Sequence, residues 1–300
     1  MAALPHHHRL RTRQPGGQPP GRGPGRPSMN RRPGFLVYGL LTAFVLGSCL
    51  PLYWSFLVGS HSRDVLTERV PPLLPGGHFF ENAQRAFEAV PFWKALGNSL
   101  LVSTTVATSV VFFSTLAGFA FAKLAFRGRT PLLVFVVATL AVPTQLGVIP
   151  LFIVMAELGW VGSMWALIVP GMVTAFGVFF MRQYLIDAVP DELIEAARVD
   201  GCSMLRTFWN VALPAARPAA AILWLFTFMA TWTDFFWPLI VLPASNPTVQ
   251  IALQQLQSGY YVDYSLVLAG AAISTIPLLV LFVLTGRQLV AGIMQGAVKG

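Results

Sequence analysis

Five long stretches of this chain contain no charged residue, and a sixth contains one. They run over residues 34–57, 95–122, 131–155, 161–181 and 266–285, with Asp234 the single charge in 219–241. Each is close to the roughly 20 apolar residues that a helix needs to cross about 30 Å of hydrocarbon. Inside lipid every backbone N–H and C=O has to find its partner within the segment, which leaves the helix as the economical solution for such spans. A soluble domain would also need a polar exterior, and only 11% of the 300 residues are charged while 55% are hydrophobic. The pattern predicts an all-α, polytopic membrane protein of about six transmembrane helices.

Residues 1–33, with QPGGQPPGRGPGRP at their centre, read as a disordered basic tail, and 34–300 as the transmembrane domain. His6, His7 and His8 could bind a transition metal, but in such a tail a solvated run is the simpler reading. The first span could be a secretory signal, although its apolar run exceeds a usual signal core. Leu46-Gly47-Ser48-Cys49 is also similar to a bacterial lipidation box, but the apolar run continues past Cys49 and further spans follow. Cys49 and Cys202 suggest neither a disulfide framework nor a metal site.

A net charge of +8 would point to nucleic acid in a soluble protein, whereas here position decides. The tail, the loop with Lys123, Arg127 and Arg129, the segment 182–217 and the end with Arg287 and Lys299 hold 16 of the 20 basic residues. The alternate loops hold only Arg63, Arg69, Arg85 and Lys94. Both termini are therefore expected in the cytoplasm. The main external loop then carries Phe79, Phe80, Phe87, Phe92 and Trp93, which are expected to rest against the interface. The last external loop, 242–264, carries Gln250, Gln254, Gln255, Gln257, Tyr260 and Tyr261, and either lines an entrance or forms an amphipathic cap.

Two spans are irregular. The third holds Pro143, Thr144, Gln145, Gly147 and Pro150, and two prolines seven residues apart are expected to kink or interrupt a helix. Broken backbone is tolerated in a membrane where protein or a watery cavity satisfies it, which places Gln145 toward a pathway. In the fifth, Asp234 should face the bundle interior, lie near an interface or be neutral, since an unpaired charge in lipid costs several kcal/mol.

Between the fourth and fifth spans lies MRQYLIDAVPDELIEAARVDGCSMLRTFWNVALPAARPAA. Pro190 suits a first helical turn, with Asp191 and Glu192 placed favourably against the helix dipole. Leu193, Ala196 and Ala197 follow at helical spacing, and Gly201 supplies a stop. Leu205, Phe208, Trp209 and Ala212 then share one side before Leu213-Pro214. The expectation is a short helix, a turn and a second short helix, whose aromatic residues either fill a partner's groove or pack beneath their own bundle.

Glu195-Ala196-Ala197, three residues, Gly201 and later Leu213-Pro214 resemble the EAA loop of permease subunits of bacterial binding-protein-dependent ABC importers. Asn98-Ser99, Phe119-Ala120-Phe121-Ala122-Lys123, Pro143 with Gln145, Met181-Arg182-Gln183-Tyr184 and Trp232 through Leu239 are similar to the carbohydrate-uptake type, of which the maltose-system MalG permeases are the pattern. The likeness covers most of the chain after Leu57. It implies the type I importer permease fold in a bacterial inner membrane, and a coupling loop at about 182–217 that docks on a cytoplasmic ATPase through Glu195, Ala196, Ala197, Asp200, Gly201, Phe208, Leu213 and Pro214. It implies as partners two copies of that ATPase, a second related permease subunit and an extracytoplasmic solute-binding protein. Asn98, Gln145 and Asp234 are the candidate pathway residues.

No GxxxxGK[ST], HExxH or nucleophile–base pattern is present in the sequence, so ATP and Mg are expected in the partner subunits and no cofactor in this chain. Two other readings stay open: a secondary transporter, which would want several buried ionisable groups and inverted repeats, and a membrane scaffold.

Overall fold

The computed structural model describes residues 34–67 and 72–297, and side chains as far as residue 286. The tail 1–33 with its histidines, Arg69 and Lys299 lie outside those residues, as does the side chain of Arg287. All the regular structure described is helical, in the order α1 (Phe35–Gly59), α2 (Phe79–Ala89), α3 (Phe92–Lys123), α4 (Arg129–Ala138), α5 (Val148–Glu157), α6 (Trp165–Gly171), α7 (Ala175–Ala188), α8 (Asp191–Val199), α9 (Met204–Thr207), α10 (Leu213–Trp232), α11 (Phe236–Val241), α12 (Val249–Gln255) and α13 (Tyr264–Ala297).

Five helical runs are long and apolar enough to cross a bilayer: Phe35–Gly59, Phe92–Lys123, Trp165–Ala188, Met204–Trp232 and Tyr264–Gly286. A sixth span exists if Arg129–Ala141 and Thr144–Glu157, bent by 95° at their joint, count together. The all-α membrane fold read from the sequence holds, and the third span is where it takes an unusual form.

The chain divides into two units, 1–49 and 50–300. In the first, residues 35–49 are the start of α1, and every one of them is exposed. In the second, α3 is the central element and packs along both α7 and α10. Val102, Val106, Val110 and Phe119 form its buried stripe, with Ser99, Ser103 and Ser114 buried between them. Small residues let membrane helices approach closely, where lipid offers no hydrophobic force to drive them together. Gly118 is the extreme case, since a Cβ there would lie 2.7 Å from the backbone nitrogen of Arg182 on α7.

Four irregularities interrupt the spans, and three of them have a local cause. Val142 and Pro143 are extended (φ −87°, ψ 118° and φ −60°, ψ 126°), because a proline pushes the residue before it out of the α region. Pro143 alone makes the break, and Pro150 falls in the first turn of α5, where its missing N–H would have had no intrahelical partner. Pro170 and Gly171 end α6, after which extended Thr174 caps α7 by accepting the Gly177 N–H at 3.0 Å. Thr233, Asp234 and Phe235 separate α10 from α11. Finally, residues Phe208–Ala212 are π-helical just before Pro214, whose ring clashes with the carbonyl of the preceding turn and widens it.

This last feature revises the expected second short helix. From Met204 the chain runs through α9 and the π turn into α10 as one helical span, and α7 extends to Ala188. Only residues 189–203 stand outside these long helices, within the 182–217 read from the sequence as the cytoplasmic loop.

Candidate functional site

Two parts of the bundle stand apart from its packed interior. The first is the 189–203 segment. Extended Pro190 precedes α8, with Asp191 and Glu192 in its first turn and Arg198 in its last, each sign matched to the helix dipole. The end of α8 is a Schellman turn: the Cys202 N–H donates to the Ala197 carbonyl at 2.8 Å and the Gly201 N–H to the Arg198 carbonyl at 3.0 Å. That closure needs a left-handed residue, and Gly201 has φ +74°. Nothing lies within 4 Å of where its Cβ would be, so backbone freedom, and not close packing, explains the glycine. Ser203 then caps the following helix through the Arg206 N–H.

The side chains divide cleanly. Ile194, 4% exposed, is the one buried residue of α8, inserted under the bundle. Glu195, Ala196, Asp200 and Pro214 are exposed, and Ala197 and Leu213 are half-buried. Val199 is 88% and Leu205 66% exposed, and Trp209 presents half of its surface. Phe208 differs from the expectation: it is 1% exposed, beside Phe119 at a ring separation of 5.9 Å. It anchors the base of this segment within its own bundle, and of the two aromatics only Trp209 offers free area. One tether crosses from the span behind. The Lys123 ammonium at the end of α3 donates to the Ile186 carbonyl at 3.2 Å and to Asp191 Oδ1 at 2.7 Å.

The second part is a cavity of about 620 Å³, within the usual range for small-molecule sites. Three of the helix breaks meet there: Thr144 from the α4–α5 bend, Pro170, Gly171 and Thr174 from the α6–α7 joint, and Asp234 from the α10–α11 joint. Thr227, Thr231 and Trp237 complete its polar and aromatic side over apolar walls that include Leu151, Leu167 and Leu223. The Asp234 carboxylate lies beside the backbone N–H groups of Phe236 and Trp237 at the start of α11. Trp237 Nε1 donates to the Ala166 carbonyl at 2.9 Å, which fixes the indole. Among the described residues lining the cavity there is no lysine, arginine or histidine.

Of the three pathway candidates read from the sequence, only Asp234 reaches this cavity, and it does so from a joint between helices. Gln145 lies in the α4–α5 bend but is exposed away from the lining. Asn98 donates to Asn246 Oδ1 at 3.1 Å and the Pro247 carbonyl at 2.8 Å, fastening α3 to the connection before α12. Thr174, Thr227 and Thr231 were missed, and Thr144 and Trp237 were noted only as neighbours of the candidates. All but Thr227, which lies inside α10, are at or near a break, a signal the sequence displays only once the breaks are known to converge.

The opposite end of α3 is covered. α2 buries Asn82, Ala83 and Ala86, and α12 buries Val249, Ile251 and Ala252. The last connection is therefore an amphipathic cap, with Tyr260 and Tyr261 exposed at its tip. Phe92, expected at the interface, is fully buried beneath it, while Phe80 and Trp93 are exposed.

Residues 111–290 match the family model of the binding-protein-dependent transport system inner membrane component. The arabinooligosaccharides transport system permease protein AraQ of Halalkalibacterium halodurans is 35% identical over 214 residues, 71% of this chain and 76% of that protein. The lactose transport system permease protein LacG of Rhizobium radiobacter is 29% identical over 270 residues, 90% and 97% of the two chains. In structure, a chain of a bacterial ABC transporter involved in the import of the acidic polysaccharide alginate superposes with a TM-score of 0.69 at 24% identity, covering 84% of this chain and 96% of that one. These matches carry the permease family and not the maltose-system branch in particular.

Proposed function

The chain belongs to the family of binding-protein-dependent transport system inner membrane components, and from that premise we propose that it is a permease subunit of an ATP-driven importer that brings a sugar or related solute into the cytoplasm. Its partners are a second related permease, two copies of a cytoplasmic ATPase and an extracytoplasmic binding protein that delivers the solute. The observation that carries this reading is the α8 segment, a rigid helix and turn whose apolar residues Val199 and Leu205 are bare while Ile194 and Lys123 bind it to the spans behind. A part that is stiff, exposed on one side and fastened on the other transmits force.

In the proposed cycle, closure of the ATPase pair on ATP and Mg moves the docked α8 segments, with Glu195, Ala196, Ala197, Asp200 and Gly201 at the contact. The displacement enters the bundle by two routes. One is the continuous Met204–Trp232 helix, with the π turn and Leu213-Pro214 at its base. The other is Lys123 on α3. Both α3 and α10 border the cleft of Asp234, so turning them opens that cleft to one side or the other. The orientation that serves this cycle is the one given by the basic loops, with α8 and both termini in the cytoplasm of a bacterial inner membrane.

Gentle solubilisation and affinity purification test the reading. An ATPase and a second polytopic permease should co-purify, and the complex with its binding protein should accumulate solute in proteoliposomes only with MgATP inside the compartment facing α8. Uptake by the chain alone, driven by an ion gradient, would overturn it.

A further inference from the structure

The charge of the cleft lining narrows the solute. Around the cavity at the three helix breaks stand four threonines, the Asp234 carboxylate and the Trp237 indole, and among the described residues no cationic side chain. Thr174 Oγ1 is taken up by the Gly177 N–H and Thr144 Oγ1 donates to Gln145 Oε1, which leaves Thr227 and Thr231. The Asp234 carboxylate lies beside the Phe236 and Trp237 amides, and a carboxylate has about four acceptor positions, which leaves some for hydroxyl donors. Behind it lies a small chamber of about 30 Å³, shared by Asp234, Ser103 and Thr248, with room for a water or two. Ser103 Oγ and Thr248 Oγ1 are both buried without a protein hydrogen-bond partner, so Asp234 is backed by hydroxyls and not by a cation.

Resting on the permease reading above, we propose that this cleft is a half-site for an uncharged polyhydroxylated solute, an oligosaccharide without acidic groups. Asp234 accepts hydroxyl hydrogen bonds from the sugar, and the fixed ring of Trp237 packs on its C–H face, because the negative face of an aromatic ring attracts the positive edge of C–H bonds. An anionic solute finds nothing here to pair with, and it meets a carboxylate among apolar walls that screen poorly. On this half of the site an acidic oligosaccharide, such as the alginate carried by an importer that shares its fold, or a glycerol phosphate would meet Asp234 and no cation.

The test uses the complete importer with its binding protein in proteoliposomes, probed with labelled arabinotriose, lactose and diacetylchitobiose as neutral solutes and with sn-glycerol 3-phosphate and an alginate trisaccharide as anions. Wild type should take up a neutral probe and neither anion. Asp234→Asn, nearly isosteric, should lower that uptake about tenfold or more, the worth of a hydrogen bond to a charged group. Trp237→Ala should do the same, while Trp237→Phe, which keeps a ring, should retain most of the uptake. Co-purification of the variants with their partners separates this from misassembly. An assembled, ATP-hydrolysing importer that carries either anion, that carries no neutral probe, or whose neutral uptake ignores Asp234→Asn would overturn the inference. If the partners do not assemble around the wild-type chain, the permease reading itself falls.

Discussion

The two ends of α3 solve opposite problems. At its start, Asp263 accepts from Arg85 Nη2 at 2.6 Å and from Arg63 Nε at 3.1 Å, and so joins α13 to α2 and to the segment after α1. Around it, Asn82 Nδ2 donates to the carbonyls of Gly59 and His61, Ser265 Oγ to that of Ser62, and the Val249 N–H to Ser99 Oγ. Nearly every polar group there has a partner in the same chain. At the other end, α8 rests on one buried side chain and one ammonium tether, and presents bare valine, leucine and carboxylates. The first end is complete as folded. The second leaves most of its surface without contacts in this chain, and low local contact density is what allows such an element to move as a unit.

The contrast can be broken at four places. Gly201→Val carries the largest effect: forcing a β-branched residue to φ +74° costs about 2 kcal/mol or more, roughly thirtyfold in ATPase co-purification and in uptake. Membrane insertion should be unchanged, and Gly201→Asn, which tolerates the left-handed region, should recover most of the loss. If Val is tolerated in both assays, the Schellman turn does not matter for docking.

Asp263→Asn tests the opposite end. Burial pushes this carboxyl up, but Arg85, Arg63 and the Leu266 N–H outweigh it and hold it below the usual carboxylate range. Its stabilisation is therefore complete above about pH 4 and lost only as pH falls through the depressed value. The substitution should cost about 1–2 kcal/mol of thermal stability in detergent, by the same amount at pH 5 and pH 8, with ATPase docking intact. A stability loss that appears only near neutral pH would contradict this assignment.

Lys123→Met should come next. It removes the tether without the bulk, and should lower uptake several-fold, on the scale of one hydrogen bond to a charged group, while ATPase still co-purifies; loss of both together would make Lys123 structural. Smallest is Val199→Ser, which at 88% exposure should leave stability within about 0.5 kcal/mol and weaken docking about two- to threefold. A docking change no larger than at Leu73, which is exposed near the other end, would remove Val199 from the contact.

Much of the α8 segment was legible in the sequence because its determinants are local. Pro190, the acidic first turn and Gly201 act within a few residues of themselves, and the helix and its stop came out where their chemistry places them. Phe208 was not legible, because helical spacing puts it on a face without saying whether that face meets a partner or the protein's own Phe119. The cleft was less legible still. Gln145 and Thr144 are adjacent and both polar, and only the 95° bend turns Thr144 into the cavity and leaves Gln145 outside it.

Hydrophobic length and the position of charge are additive along a chain, so the sequence alone determined that this protein is helical and embedded in a membrane, and which loops carry its basic residues. Proline acts on its nearest neighbours, so the sequence also showed the interruption at Pro143, but not those after Pro170 and at residues 233–235. Whether those interruptions meet is a matter of how α3, α7 and α10 cross, which depends on close approaches such as Gly118 against Arg182. Only the tertiary structure brings Thr144, Thr174 and Asp234 to one cavity, because contacts between residues 90 positions apart leave no periodic trace in the sequence.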